Sequence, residues 1–200
     1  MNINKTINSL IKTNINAKYI TSRKMLFDTI DEFLFDNCTV GYGGSETLNQ
    51  LKIKEWLREK NNIKLFDRDI SGKRIEDMNN ALTSDIFLMS SNAITENGEL
   101  YNVDGNGNRV AALIYGPKKV IVICGENKIV ENLEKAEDRV RTIAAPLNAK
   151  RLNKKTPCTI TGKCEDCKSP DRICSNFVVS RQQIIKDRIN VLILNENLGY

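Results

Sequence analysis

Histidine is missing from all 200 residues of the chain. Its absence excludes a Ser-His or Cys-His nucleophile pair, a histidine general base and every histidine-ligated metal site. Acid–base chemistry must come from Asp, Glu, Lys, Tyr or Cys, and any metal must sit on thiolates or oxygens. Proline is scarce, at four residues, and aromatics make up only 6%. With 40% hydrophobic and 28% charged residues, the composition excludes a collagenous or disordered chain. Long apolar runs are absent too. Val120-Ile121-Val122-Ile123-Cys124 falls far short of the roughly 20 residues that span a bilayer. Met1-Asn2-Ile3-Asn4-Lys5 opens onto a polar, Asn-rich stretch rather than an apolar one, so no cleavable signal is expected and the expected location is the cytoplasm. The length suits one domain, 1–200, with a core large enough to fold without metal or disulfide. A net charge of +5 is mild, suits an anionic ligand as well as nucleic acid, and decides nothing alone.

Apolar spacing predicts helices over 2–14 and 22–35 in an N-terminal helical segment of about 1–37. Further helices are predicted over 46–60, 75–83, 107–115 and 129–144. The strand-like runs are Cys38–Tyr42, Ile63–Phe66, Asp85–Met89, Lys119–Cys124 and Ile189–Leu194. Helices alternating with strands that are apolar throughout imply an α/β fold, a mostly parallel sheet covered by helices on both faces. Pro146 is expected to end this regular part. A Cys-containing insertion over about 147–178 should follow, then a helix over 180–187 and the last strand.

Three constellations carry candidate chemistry. Gly41-Tyr42-Gly43-Gly44-Ser45-Glu46-Thr47 lies between a strand and a helix, where a parallel sheet places its ligand. Glycines there leave backbone N–H groups uncovered for an anion, with Ser45 and Thr47 hydroxyls beside them. It is neither a Walker loop nor a dinucleotide fingerprint, and a plain tight turn fits the same residues.

The second constellation is the polar stretch Ser90–Arg109, which brings Glu96, Glu99, Asp104, several amides and Arg109 to the same rim. Asn97-Gly98 and Asp104-Gly105 read as ordinary turns, with a hairpin in the segment. The density of polar groups in one long loop is what favours binding.

The third is Cys158, Cys164, Cys167 and Cys174, four of six cysteines within seventeen residues. In a cytoplasmic chain such a cluster suggests a metal, with reduced surface thiols or a redox disulfide as the alternative. An iron–sulfur cluster and zinc both fit four thiolates, and nothing in the spacing chooses between them. Lys163, Lys168 and Arg172 would offset thiolate charge and lower thiol pKa values. Cys38 and Cys124 sit in apolar runs and read as core residues. The basic run Lys150–Lys155 lacks interleaved aromatics and matches no known binding module, so nucleic acid is not an expected partner; the short apolar runs make a membrane no expected partner either.

The string from Ser90 to Ala112, with Gly116-Pro117-Lys118-Lys119-Val120 and Gly125-Glu126-Asn127-Lys128, resembles the lactate-utilisation (LUD) domain family. So do Gly41–Ser45, Ala144–Ala149, the Cys segment and Glu196–Gly199. The resemblance implies a sheet like that of ribose-5-phosphate isomerase, glucosamine-6-phosphate deaminase and coenzyme A transferases. In those relatives the loop matching Gly41–Thr47 holds phosphate and the loop matching Ala93–Asp104 supplies acidic residues. Lys128 falls where the isomerases carry a lysine, but their Asp-Gly-Ala-Asp motif is missing, which counts against isomerase activity.

The resulting expectation is a protein of bacterial lactate or organic-acid utilisation that binds an anionic small molecule. Glu96, Asp104 and Lys128 are its catalytic candidates. Gly43, Gly44, Ser45, Thr47, Asn92, Asn102, Asn106 and Arg109 are its ligand candidates, and the four cysteines its metal candidates. Two other readings stay open: a non-catalytic subunit or regulator of iron–sulfur oxidoreductase partner proteins, and an isomerase or transferase acting on a sugar phosphate or acyl-CoA. A homo-oligomer is compatible with either.

Overall fold

A computed structural model describes residues 1–200. The first half runs α1 (Ile3–Lys12), β1 (Asn16–Ile20), α2 (Arg23–Asp31), β2 (Cys38–Tyr42), α3 (Glu46–Gln50), α4 (Ile53–Arg58), β3 (Ile63–Leu65), α5 (Arg74–Ala81) and β4 (Ile86–Met89). Then come β5 (Ala93–Thr95), β6 (Leu100–Asp104), α6 (Asn108–Ile114), β7 (Lys119–Gly125), β8 (Ile129–Val130) and α7 (Leu133–Arg139). The chain ends through α8 (Ala145–Arg151), α9 (Cys158–Thr161), β9 (Asn176–Ser180) and β10 (Ile189–Leu194).

Six strands form one sheet in the order β1-β10-β7-β4-β2-β3, and every neighbouring pair is parallel. Side-chain alternation along these strands feeds two cores, one on each face. Ile86, Leu88, Ile121, Ile123, Leu192 and Leu194 pack under α2, α3 and α4. Phe87, Met89, Val120, Val122, Val191 and Ile193 face the other way, toward α1, α5 and α6. Each such fully buried side chain contributes roughly 1.5–3 kcal/mol by leaving water. Polar caps set where the helices begin: the Asn2, Ser22 and Asn132 side chains accept the N–H of Lys5, Met25 and Lys135.

A smaller sheet, β8-β5-β6-β9, stands beyond the end of β4. Its β5–β6 hairpin turns at Asn97-Gly98. Gly98 has φ +86°, and a Cβ there would lie 2.7 Å from the backbone of Ser9 in α1, so only glycine fits on both counts. From α7 and the turn that follows it, Ala136 and Val140 pack onto Ala93 and Tyr101 of this sheet.

Four sequence expectations are corrected. Asn16–Ile20, inside the segment expected to be helical, is an edge strand. The helix expected over 46–60 is two helices, broken where Lys52 takes the left-handed φ of 54°. Pro146 does not end the regular part: it sits in the first turn of α8, after a π-helical turn over Val140–Ala144 that already interrupts the usual hydrogen-bond ladder. The helix expected over 180–187 is absent. Ser180 closes β9, which pairs with β6 instead. No helix is long and apolar enough to cross a membrane.

Candidate functional site

Because all six strands of the main sheet run the same way, the loops after β2, β3, β4 and β7 emerge on one edge. They enclose a cleft of about 890 Å³. The glycine loop contributes Gly44, Ser45 and Glu46, and the polar stretch contributes Ser90–Asn92 and Val103–Asn106. Two segments some fifty residues apart thus face one another. Eight Lys and Arg side chains line the cleft against four Asp and Glu, an excess of positive charge suited to an anion.

Arg109 is the keystone of the polar stretch. Its Nη1 donates to the Ser90 carbonyl (2.9 Å) and to Asn102 Oδ1 (2.5 Å). Its Nη2 donates to Asn92 Oδ1 (3.1 Å) and the Val103 carbonyl (2.8 Å), and its Nε faces Asp104 Oδ2 at 3.4 Å. All five donors are thus directed at protein acceptors. Burial pushes the guanidinium pKa down, with Asp104 opposing. The sequence assigned Arg109 to the ligand. The geometry makes it the clamp that shapes the loop, along with Asn92 and Asn102. Asn92 also accepts the Val103 N–H (2.9 Å), while Asn102 Nδ2 is buried without a partner.

Lys128 stands at the cleft floor, 4% exposed, in the 3-10 turn after β7. Its Nζ donates to Thr47 Oγ1 (2.9 Å) and Ser90 Oγ (3.0 Å), which are 3.3 Å from each other. Burial, helped by Arg139 and Arg109, brings its pKa down to about 8. The C-terminal tail closes over this group. A Cβ on Gly199 would lie 2.6 Å from Thr47 Oγ1. Asp104 lines the cleft with its Oδ2 buried and without a hydrogen-bond partner, while its Oδ1 accepts the Gly107 N–H (3.2 Å). Asn106 lines the same wall.

The glycine loop works differently from expectation. With five residues, α3 is too short to add an appreciable dipole. Gly43 donates its N–H to Leu88, and a Cβ on it would lie 2.9 Å from Arg109 Cγ, so this glycine makes room for Arg109. Ser45 caps α3 through Leu48 N–H (3.4 Å), and Gly44 and Ser45 donate their own amides to no protein acceptor.

Glu96 is not with the others. Its carboxylate accepts the Asn2 N–H (2.8 Å) and pairs with Lys5 Nζ (3.2 Å), so it anchors α1 to the hairpin outside the cleft. Lys5 holds its pKa below the usual carboxylate range. This placement removes it from the acid–base set and leaves Asp104 and Lys128.

Arg68, Arg74 and Lys54, with Asp69 between them, line the cleft but were not singled out in the sequence. The one available signal was position: Arg68 and Asp69 follow β3, on the ligand edge of the sheet.

The four cysteines of the Cys segment line a single small cavity of about 10 Å³, with Thr156, Arg172 and Ile173. All are free thiols, and no three Cys, Asp or Glu side chains stand in a metal-ligating arrangement. At Cys174 burial pushes the thiol pKa up in spite of Arg172 beside it, against the lowering expected from nearby cations.

The fold and cleft define a parallel α/β protein with an anion-suited crevice at the carboxyl edge of its strands. The LUD domain model matches residues 3–194, and the chain belongs to the LUD domain family. A solved structure of a DUF162 family protein from Deinococcus radiodurans superposes with a TM-score of 0.56 at 11% identity, covering 96% of this chain and 95% of that one. The likeness establishes the shared fold. No curated protein is matched.

Proposed function

We propose that the cleft binds a small anionic metabolite and that Lys128 moves a proton on the bound molecule. One observation carries this reading: a buried ammonium meets the Thr47 and Ser90 hydroxyls where the two loops converge, on the floor of a cleft with excess positive charge. An amine with a pKa near 8 is populated in both forms around neutral pH, as a general acid or base requires. Asp104 Oδ2, lacking a hydrogen-bond partner, is placed to accept a ligand hydroxyl. The class of reaction is proton transfer beside a carboxylate or phosphoryl group, in keeping with the family's link to bacterial lactate and organic-acid use. A thermal-shift screen of organic acids, phosphorylated metabolites and CoA esters tests it. A true ligand at 100 times its Kd adds about 2.7 kcal/mol of stability. Lys128→Met abolishes that gain, and a panel with no stabilising member overturns the reading.

A second proposal rests on the convergence of four soft thiol donors. Cys158, Cys164, Cys167 and Cys174 would hold zinc or an iron–sulfur cluster, which would supply structural cross-linking or electron transfer. Arg172 and Ile173 line both this cavity and the cleft, so a filled site would fix one cleft wall. A cluster there would also suit an iron–sulfur oxidoreductase partner. Anaerobic purification with metal and sulfide analysis checks it. Stoichiometric metal lost on Cys164→Ser/Cys167→Ser supports the site, and metal-free protein from a metal-replete culture overturns it.

A further inference from the structure

Two arginines face the cleft in opposite states. Arg109 directs all five donors at protein acceptors. Arg68, whose side chain is only 10% exposed, makes no hydrogen bond to any protein group, and its Nε is buried without a partner. Its nearest carboxylate, on Asp69, is 3.8 Å away and is shared with Lys54 at 2.5 Å and Arg74 at 3.5 Å. Three cations therefore surround one carboxylate. A buried guanidinium with unused donors is costly unless something binds it.

The backbone that carries Arg68 is fixed from beneath. Asp67 accepts from the Tyr42 hydroxyl, from Arg58 Nε at 2.6 Å and from the Asp69 N–H at 3.2 Å. The Phe66 N–H donates to the Val40 carbonyl at 2.8 Å. Arg68 is thus held in place at its root, while its fork remains unbound. Its Nη2 lies 3.6 Å from where a Cβ on Gly44 would stand, in van der Waals range of the glycine loop whose Gly44 and Ser45 amides are also unused.

We propose that the cleft holds two anion subsites and that its ligand is a phosphorylated small carboxylic acid, with the phosphoryl group on Arg68, Arg74 and Lys54 and the carboxylate beside Lys128 and Ser90. The inference rests on the cleft reading above and names the ligand class for it. A phosphoryl dianion matches two planar guanidinium forks and an ammonium whose one ion-paired carboxylate is Asp69. The single ammonium of Lys128 and the Ser90 hydroxyl beside it suit a carboxylate, which carries one charge. Arg68 and Lys128 both line the one cleft, from the loops after β3 and β7. One small molecule can therefore reach both.

Calorimetric titration of the full chain with 3-phosphoglycerate, glycerol 3-phosphate and glycerate separates the subsites. The bifunctional probe is expected to bind at least tenfold more tightly than either single-anion probe. Arg68→Leu should bring 3-phosphoglycerate down to the affinity of glycerate, and Lys128→Met should bring it down to that of glycerol 3-phosphate. Arg68→Leu breaks no protein hydrogen bond, so the fold should persist. Arg68→Lys, which keeps the charge and loses the fork, should recover only part of the affinity. If Arg68→Leu leaves all three affinities unchanged while Lys128→Met still weakens binding, the two-subsite proposal falls and the single anion site stands. If no probe binds and Lys128→Met changes nothing, both fall.

Discussion

Gly43 and Arg109, 66 positions apart in sequence, compete for one volume: a Cβ on residue 43 would lie 2.9 Å from Arg109 Cγ and 3.0 Å from its Cδ. The first glycine of the loop that follows Tyr42 is thus required by the clamp on the opposite loop rather than by a ligand. Arg109 has no free rotamer to retreat into, because its head group is tied to Ser90, Asn92, Asn102 and Val103. Gly43→Ala should cost about 1–3 kcal/mol as overpacking, read as a lower denaturant midpoint at unchanged slope. A fully neutral substitution would mean that Arg109 shifts without loss.

Arg109 itself is expected to be the most sensitive residue of the cleft. Arg109→Met removes a donor from the Ser90 and Val103 carbonyls and from the Asn92 and Asn102 amide oxygens, and takes the counter-ion from Asp104. Removing one partner of a buried pair typically costs about 3–5 kcal/mol. Adding Asp104→Asn should restore part of the loss by removing the stranded charge. A double-mutant cycle in urea measures this coupling, and strictly additive losses would disprove the pairing.

Glu96 gives the opposite prediction. Its carboxylate is engaged by Lys5 and the Asn2 backbone, away from the cleft. Glu96→Gln should leave ligand-induced stabilisation intact while loosening α1, seen as faster amide exchange over residues 3–12. Loss of ligand response with α1 unchanged would return Glu96 to the site.

The parallel sheet was legible because its inner strands, such as Val120–Cys124 and Ile189–Leu194, are apolar on both sides and alternate with helical spacing. Asn16–Ile20 was not, since an edge strand with exposed Asn16 and Lys18 carries no continuous apolar signal. A helix was expected over 180–187, yet Ile184 and Ile185 there are 93% and 56% exposed, so the segment has no buried face to hold a helix. In the cleft, the glycine loop and the polar stretch were legible as motifs. Their division of labour was not. Whether an arginine spends its donors on protein, as Arg109 does, or keeps them free, as Arg68 does, depends on contacts across tens of residues.

The buried Lys128 amine should give the protein a signature at alkaline pH. In the folded chain its pKa is lowered from 10.5 to about 8, principally by burial. Below pH 8 both folded and unfolded chains carry the proton, and the folded state bears the whole cost of a buried charge. Between about 8 and 10.5 the folded amine is neutral while the unfolded one is still charged, so the unfolded state binds more protons and stability rises with pH. Relative to Lys128→Met, the wild-type chain should therefore gain roughly 2–4 kcal/mol between pH 7 and pH 10.5. Sulfate, which does not titrate in this range, should bind more weakly as pH passes 8 because it prefers the charged amine. The Lys128→Met protein should show no such decline. Urea denaturation and sulfate titration of both proteins across that window provide the measurement. Parallel stability profiles for the two would show that Lys128 keeps its proton, and would remove it as the group that exchanges one with substrate.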